Sequence, residues 1–148
     1  MLDRKLSFDF HVNMTYKKCQ SRIYCLQKLR ALGINKVVMG NFYRCFVESV
    51  LTFSFLCWYG GLSIKNRKIL EKVVNICGKV VGERMNSLDG LYRDRSVAKA
   101  QCIMKDSSHV LAHYFERLPL GRRFRTPLAK SNRHRNSFIP SAIRYLNK

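Results

Sequence analysis

The chain has 148 residues, 28 Lys+Arg against 9 Asp+Glu, 47% hydrophobic residues and 25% charged ones, which excludes long disorder and predicts a globular domain with a strong basic bias. A net charge of +19 with a pI near 10.2 repels itself in a compact state unless a polyanion offsets it, so nucleic acid is the first partner to expect. Ribosome-like packing comes second and an anionic membrane surface third.

The six cysteines, Cys19, Cys25, Cys45, Cys57, Cys77 and Cys102, never fall closer than six apart. That spacing excludes a CxxC redox motif or zinc knuckle and leaves buried, reduced thiols as the expectation. No apolar h-region follows Met1-Leu2-Asp3-Arg4-Lys5, so no signal peptide is expected and the expected compartment is intracellular, nucleus or cytoplasm.

In chain order, Leu6, Phe8, Phe10 and Val12 alternate with Ser7, Asp9 and His11, a period of two that predicts a short strand or extended segment. From Asn13 or Thr15 the period becomes helical, with Tyr16, Cys19, Ile23, Leu26 and Leu29 on one stripe and Gly33 placed as the C-terminal cap. Asn35 caps a second predicted helix whose apolar face is Val38, Met39, Phe42, Tyr43, Phe46, Val47, Val50 and Leu51, and the Gly60-Gly61 pair is expected to break it. The apolar run Phe46 to Leu62 contains Glu48 and falls short of the ~20 residues of a membrane-spanning helix. It reads as a buried core helix.

Ser63 opens a third helix with Ile64, Leu70, Val73, Val74, Cys77, Val80 and Val81 inward, Lys65, Arg67, Lys68, Lys72 and Lys79 mostly outward, and Gly82 at its end. Ser87 caps a weaker fourth helix through Leu91, Val97, Ala98, Cys102 and Ile103, with its pattern interrupted near Gly90 and Asp94. Asp106-Ser107-Ser108 then starts a short turn over His109 to Phe115. From Arg117 to Lys148 there are nine Lys+Arg, no acidic residue and all three prolines. The expected fold is all-α: a small bundle of four to five helices over residues 1–116, then a basic, largely irregular C-terminal extension over residues 117–148. Its last piece, Phe138 to Leu146, predicts one docking turn with Pro140 at the first helical position.

Catalytic chemistry finds little to work with. His109 and His113 lie four apart with Cys102 before them, but a closed zinc site wants four ligands in two pairs, so surface histidines are expected. Two-metal nucleotidyl transfer needs neighbouring carboxylates, and no adjacent acidic pair exists; Asp89 and Asp94 are expected to pair with Arg93 and Arg95 on the surface. Phosphate-cradling glycine loops, a G-x-S-x-G elbow and an H-x-D iron pair are absent from the sequence, and no cofactor is expected. What remains is basic and aromatic interleaving. Arg122, Arg123 and Arg125 flank Phe124, and Lys130, Arg133 and Arg135 lead to Phe138, a pattern suited to phosphate contact with base stacking. The Lys65, Lys68 and Lys72 face is a second candidate contact surface.

The string Leu6-Ser7-Phe8-Asp9-Phe10-His11-Val12, followed by Lys17-Lys18-Cys19-Gln20-Ser21-Arg22-Ile23-Tyr24-Cys25-Leu26-Gln27-Lys28-Leu29-Arg30, resembles the segment after the polymerase palm of non-LTR retrotransposon reverse transcriptases. So do Phe42-Tyr43, Glu48 to Leu51, Cys57-Trp58, Lys105 to His109, Leu118 to Phe124 and Ser137 to Arg144, in the same order along nearly the whole chain. The resemblance implies a thumb and the connection beyond it, a helical module holding RNA, DNA or a hybrid duplex near the polymerase site. The family's catalytic aspartates belong to an upstream aromatic-x-Asp-Asp motif that this chain lacks, so no enzyme activity carries over. Met1 falls just past where the palm would end, which implies a truncated element whose helices, deprived of a palm, expose an apolar patch; Phe8, Phe10, Phe53, Phe55 and Trp58 are its expected members.

Leu2 to Gly33 is also similar to a short segment catalogued as the N-terminal domain of AlkB homologue eight, a tRNA-modifying dioxygenase and methyltransferase, whose iron-binding and methyl-donor residues are missing here. That family and a ribonucleoprotein scaffold are the alternative functional readings.

Overall fold

The computed structural model describes residues 7–148, and the fold is all-α as expected. The chain forms two compact units, the first containing the described residues up to Phe55 together with Leu62–Leu88, the second Leu56–Gly61 with Asp89–Lys148. This division differs from the expected boundary at residue 116, because the helix over Leu88–Lys105 and the C-terminal stretch share a core.

In the first unit α1 (Asp9–Ala31) packs along α5 (Ile64–Val81) and against α2 (Lys36–Phe42), the π-helical turn Tyr43–Glu48 and α3 (Ser49–Leu51). The buried stripe of α1 is Val12, Thr15, Cys19, Ile23 and Leu26, at helical spacing. The strand expected over residues 6–12 is therefore corrected from Phe8 onward; Leu6 lies outside the described residues. Phe8 takes a left-handed conformation (φ 58°), the Val12 N–H donates to its carbonyl at 2.9 Å, and Asp9 sits in the first turn where the helix dipole favours an anion. Val12 gains burial by joining the helical stripe, while Phe10 stays 55% exposed.

Both ends of α1 are tied to the like ends of α5, so the two helices run in the same direction. Asn66 Nδ2 donates to Asp9 Oδ1 at 2.6 Å, and the Arg30 guanidinium donates to the Lys79 and Val80 carbonyls at 2.9 and 3.2 Å, placing a cation on the orphan carbonyls of α5. The predicted caps form: Asn35 accepts from Val38 N–H at 2.9 Å, Ser63 from Asn66 N–H at 3.3 Å, and Gly82 ends α5 in the left-handed region at φ 79°. Leu70, Val73, Val74, Cys77, Val80 and Val81 are buried as expected, whereas Ile64, in the first turn, is exposed.

The second predicted helix is the most altered. Met39, Tyr43, Val47 and Leu51 are buried, but Val38, in the first turn of α2, and Phe46 face out, the latter within the π-helical turn, which rotates the face that an uninterrupted α-helix would present. The Ser49 hydroxyl donates to the Cys45 carbonyl and Thr52 Oγ1 to the Glu48 carbonyl, back-bonding that bends a helix, and the break comes at Thr52–Ser54 instead of Gly60-Gly61. Ser54 turns the chain at φ 50°. The core helix expected over Phe46 to Leu62 is thus several short pieces, including α4 (Phe55–Trp58) and a 3-10 turn at Tyr59–Gly61. Phe55 and Trp58 are buried, a correction to the expected apolar patch, while Phe10 and Phe53 are exposed. No helix among the described residues is long and apolar enough to cross a membrane.

Helix α6 (Leu88–Lys105) starts directly after Ser87 and runs through Gly90 and Asp94 without interruption; its first N–H, on Leu88, donates to Glu71 Oε2 at 3.0 Å. In the second unit Ala100 and Ile103 of α6 join Phe115 from a 3-10 turn (Ala112–Phe115) and Ala142 and Ile143 of α8 (Phe138–Leu146) in one core. The docking turn expected over Phe138 to Leu146 is a full helix, α8, nine residues long, while residues 117–131 hold no helix, as expected of the extension. Phe138, Ile139, Ala142, Ile143 and Leu146 recur at helical spacing, and Pro140 stands third in α8, where its missing N–H lacks an intrahelical acceptor anyway. The short α7 (Asn132–Asn136) packs against the Tyr59–Gly61 turn.

Candidate nucleic-acid interface

The basic residues of the second unit are mounted on ordered backbone. Residues 116–125 fold back on themselves: Arg117 and Phe124 form an isolated antiparallel bridge, Leu118 N–H donates to the Arg123 carbonyl at 2.8 Å, and Arg125 N–H to the Glu116 carbonyl at 2.8 Å. Gly121, at φ 69°, makes the tip, where Arg117 Nη1 also donates to its carbonyl at 3.3 Å. Arg122, Arg123 and Arg125 are all exposed on this hairpin.

Lys130, Arg133 and Arg135 are exposed as well. Ser131 accepts from His134 N–H at 3.2 Å and so starts α7, which carries Arg133 and Arg135. Arg144 ties α8 to this helix through Nη2, which donates to the Arg135 carbonyl at 3.1 Å and to Ser141 Oγ at 3.1 Å.

Phe124 and Phe138, expected to stack on bases, are half-buried and pack against the core of Ala100, Ile103, Phe115, Ala142 and Ile143. A half-buried ring of this kind holds a hairpin or a helix to the core, and the Arg117 guanidinium lies 5.5 Å from the Phe124 centroid. The exposed aromatics of this region are Tyr114 and its neighbour His113, whose rings lie 4.0 Å apart at 38°. The sequence carried this pair only as a helical turn with a discounted metal ligand.

Lys65, Lys68 and Lys72 belong to the first unit and are exposed on α5 at spacings of three and four, which puts them on one helix face. The structure thus presents the candidate residues as two separate sets, one in each unit.

Asp94 pairs with Arg93 at 3.3 Å on the surface as expected, and Asp89 Oδ1 accepts from the Tyr59 hydroxyl at 3.1 Å. Hydrogen bonds from the Ser108 hydroxyl and N–H hold the Asp106 carboxyl below its ordinary range and start the turn that leads to His113. No group of three or more His, Cys, Asp or Glu among the described residues is placed to hold a metal ion. Burial of all six thiols is corrected: Cys19 and Cys77 are buried, while Cys25, Cys45, Cys57 and Cys102 are exposed.

Comparisons of the chain with protein-family models, with curated proteins and with solved structures give no match. The two basic surfaces therefore have to be interpreted from their own chemistry.

Proposed function

We propose that this chain is a non-catalytic, thumb-like module that binds nucleic acid through its phosphates, related to the region after the palm in non-LTR retrotransposon reverse transcriptases. The observation that carries the reading is the set of exposed Arg122, Arg123, Arg125, Arg133 and Arg135 on backbone anchored to a core, in a stretch from Arg117 to Lys148 without one acidic residue. Fixed guanidinium groups suit phosphate oxygens, and a net charge of +19 adds long-range attraction for a polyanion. The ordered resemblance of the sequence supplies the parentage.

The experiment is filter binding of duplex and single strands across a salt series, wild type against a variant with those five arginines changed to Ala. Each phosphate left without its arginine should flatten the slope of log affinity against log salt by roughly 0.7 to 0.9. Native helicity with an unchanged slope would remove these arginines from the interface.

A further inference from the structure

Beside Arg125, the Ala112–Phe115 turn and the extended stretch after the hairpin border a small open cavity of about 200 Å³, lined by His113, Tyr114, Glu116, Arg125, Pro127 and Leu128. We propose that this cavity seats one unpaired base of a single strand, on the exposed rings of Tyr114 and His113, with Arg125 on the adjoining phosphate. The inference rests on the nucleic-acid reading above and deepens it, since it assigns base stacking to residues that no sequence pattern singled out for it.

Three features of the cavity agree in pointing to a base. An exposed aromatic pair meets the requirement of stacking, an accessible π face, better than Phe124 and Phe138, which are half-buried against the core. Arg125 lines the same cavity on a backbone fixed by its hydrogen bond to the Glu116 carbonyl, so a cationic residue and the aromatic pair border one small space. Glu116 also lines the cavity and brings an acceptor suited to the amino group of a base such as cytosine. A duplex keeps its bases stacked inside and offers this cavity nothing, so selectivity for single strands follows.

The test is fluorescence anisotropy with labelled oligo(rC), oligo(dC) and a blunt mixed-sequence duplex, for wild type, Tyr114→Ala, Tyr114→Phe and His113→Ala, with helicity checked by circular dichroism. Tyr114→Ala should weaken single-strand binding about tenfold, leave duplex binding and the salt slope as they were, and be restored by Tyr114→Phe. His113→Ala should act in the same direction, so the site remains testable if Tyr114→Ala misfolds. Equal weakening of oligo(rC) and oligo(dC) assigns the site to the base, and weakening confined to oligo(rC) assigns it to the base with its ribose; both support the seat. Unchanged single-strand binding in the two Ala variants, or equal losses on duplex and single strands, overturns it. If the salt slope of the wild type still responds to the arginine changes in that case, the phosphate-binding reading survives alone; if the wild type binds none of the three probes, both fall.

Discussion

The side chain of Asn147 holds Phe124 by both of its backbone polar groups: Oδ1 accepts from the Phe124 N–H at 2.8 Å and Nδ2 donates to the Phe124 carbonyl at 3.0 Å. This reciprocal pair joins the end of α8 to the arginine-bearing hairpin. It fixes the backbone between Arg123 and Arg125 while both residues remain exposed.

Asn147→Ala removes both bonds and leaves the Phe124 N–H and carbonyl partly buried without them, so a stability loss of about 1–3 kcal/mol is expected. Denaturant unfolding checks the magnitude. Trypsin checks the location: cleavage at Arg122 or Arg123 should accelerate more than cleavage elsewhere, because the hairpin opens first. Uniform acceleration along the chain would show that Asn147 supports the whole unit instead.

Gly60 is a second point where a single atom decides the packing. A Cβ there would run into the Asn136 backbone carbonyl and come within 2.6 Å of the Tyr92 hydroxyl. Since backbone cannot yield as a side-chain tip can, Gly60→Ala should displace α7 and cost about 1–3 kcal/mol, read as a lowered melting temperature. Gly33→Ser has open space around it and meets only the penalty of φ 71°, so it should cost less.

The close approach at Gly60 also shows what was legible in the sequence. Caps at Asn35 and Ser63, the stop at Gly82 and the inward faces of α1 and α5 were readable because each depends on residues within one or two turns of itself. Gly60 looked like a helix breaker, but its small size answers to Asn136, far along the chain, and nothing local encodes that approach. The break at Ser54 and the outward turn of Phe46 escaped for a related reason: a π-helical turn shifts the period by about one residue, and a fixed 3.6-residue period cannot register it.

The candidate site divides along the same line. Exposed arginines were legible from charge and the absence of acids, because solvation of a cation is the default. The roles of Phe124 and Phe138 were not, since basic neighbours look the same around a ring that stacks on a base and a ring that anchors a loop. Tertiary packing alone separates those two uses.

Burial divides the thiols into two chemical classes. Desolvation pushes Cys19 up to about 11 and Cys77 up to about 12 from an ordinary 9.0, and burial likewise raises Tyr43. A raised native pKa means that the unfolded chain ionises first, so the associated stability is complete below about pH 9 and drains away as pH climbs toward 11 and 12. Unfolding followed between pH 7 and 12 should show a plateau and then a decline. Disulfide-exchange labelling at pH 8 should modify Cys25, Cys45, Cys57 and Cys102, and reach Cys19 and Cys77 only in denaturant. Rapid labelling of Cys77 in the native protein would contradict its place in the core.

The lysine face of α5 gives the last test, one that separates binding from folding. Lys65, Lys68 and Lys72 are exposed, on the side of the helix away from buried Leu70, Val73, Val74 and Cys77, so changing all three to Ala removes charge without opening a cavity. Ala is a better helix former than Lys, and stability should move by less than about 0.5 kcal/mol. By contrast Val73→Asp places an unpaired carboxylate at a fully buried position and should unfold the domain. If the lysines also meet phosphates, the triple variant should lower the salt slope by roughly 0.7 to 0.9 for each phosphate they neutralise, in addition to the effect of the five arginines. Additivity in a combined eight-site variant would show that each set meets phosphate independently of the other. A triple variant with wild-type slope would confine phosphate binding to the arginine set and leave the α5 lysines as a solvated helix face.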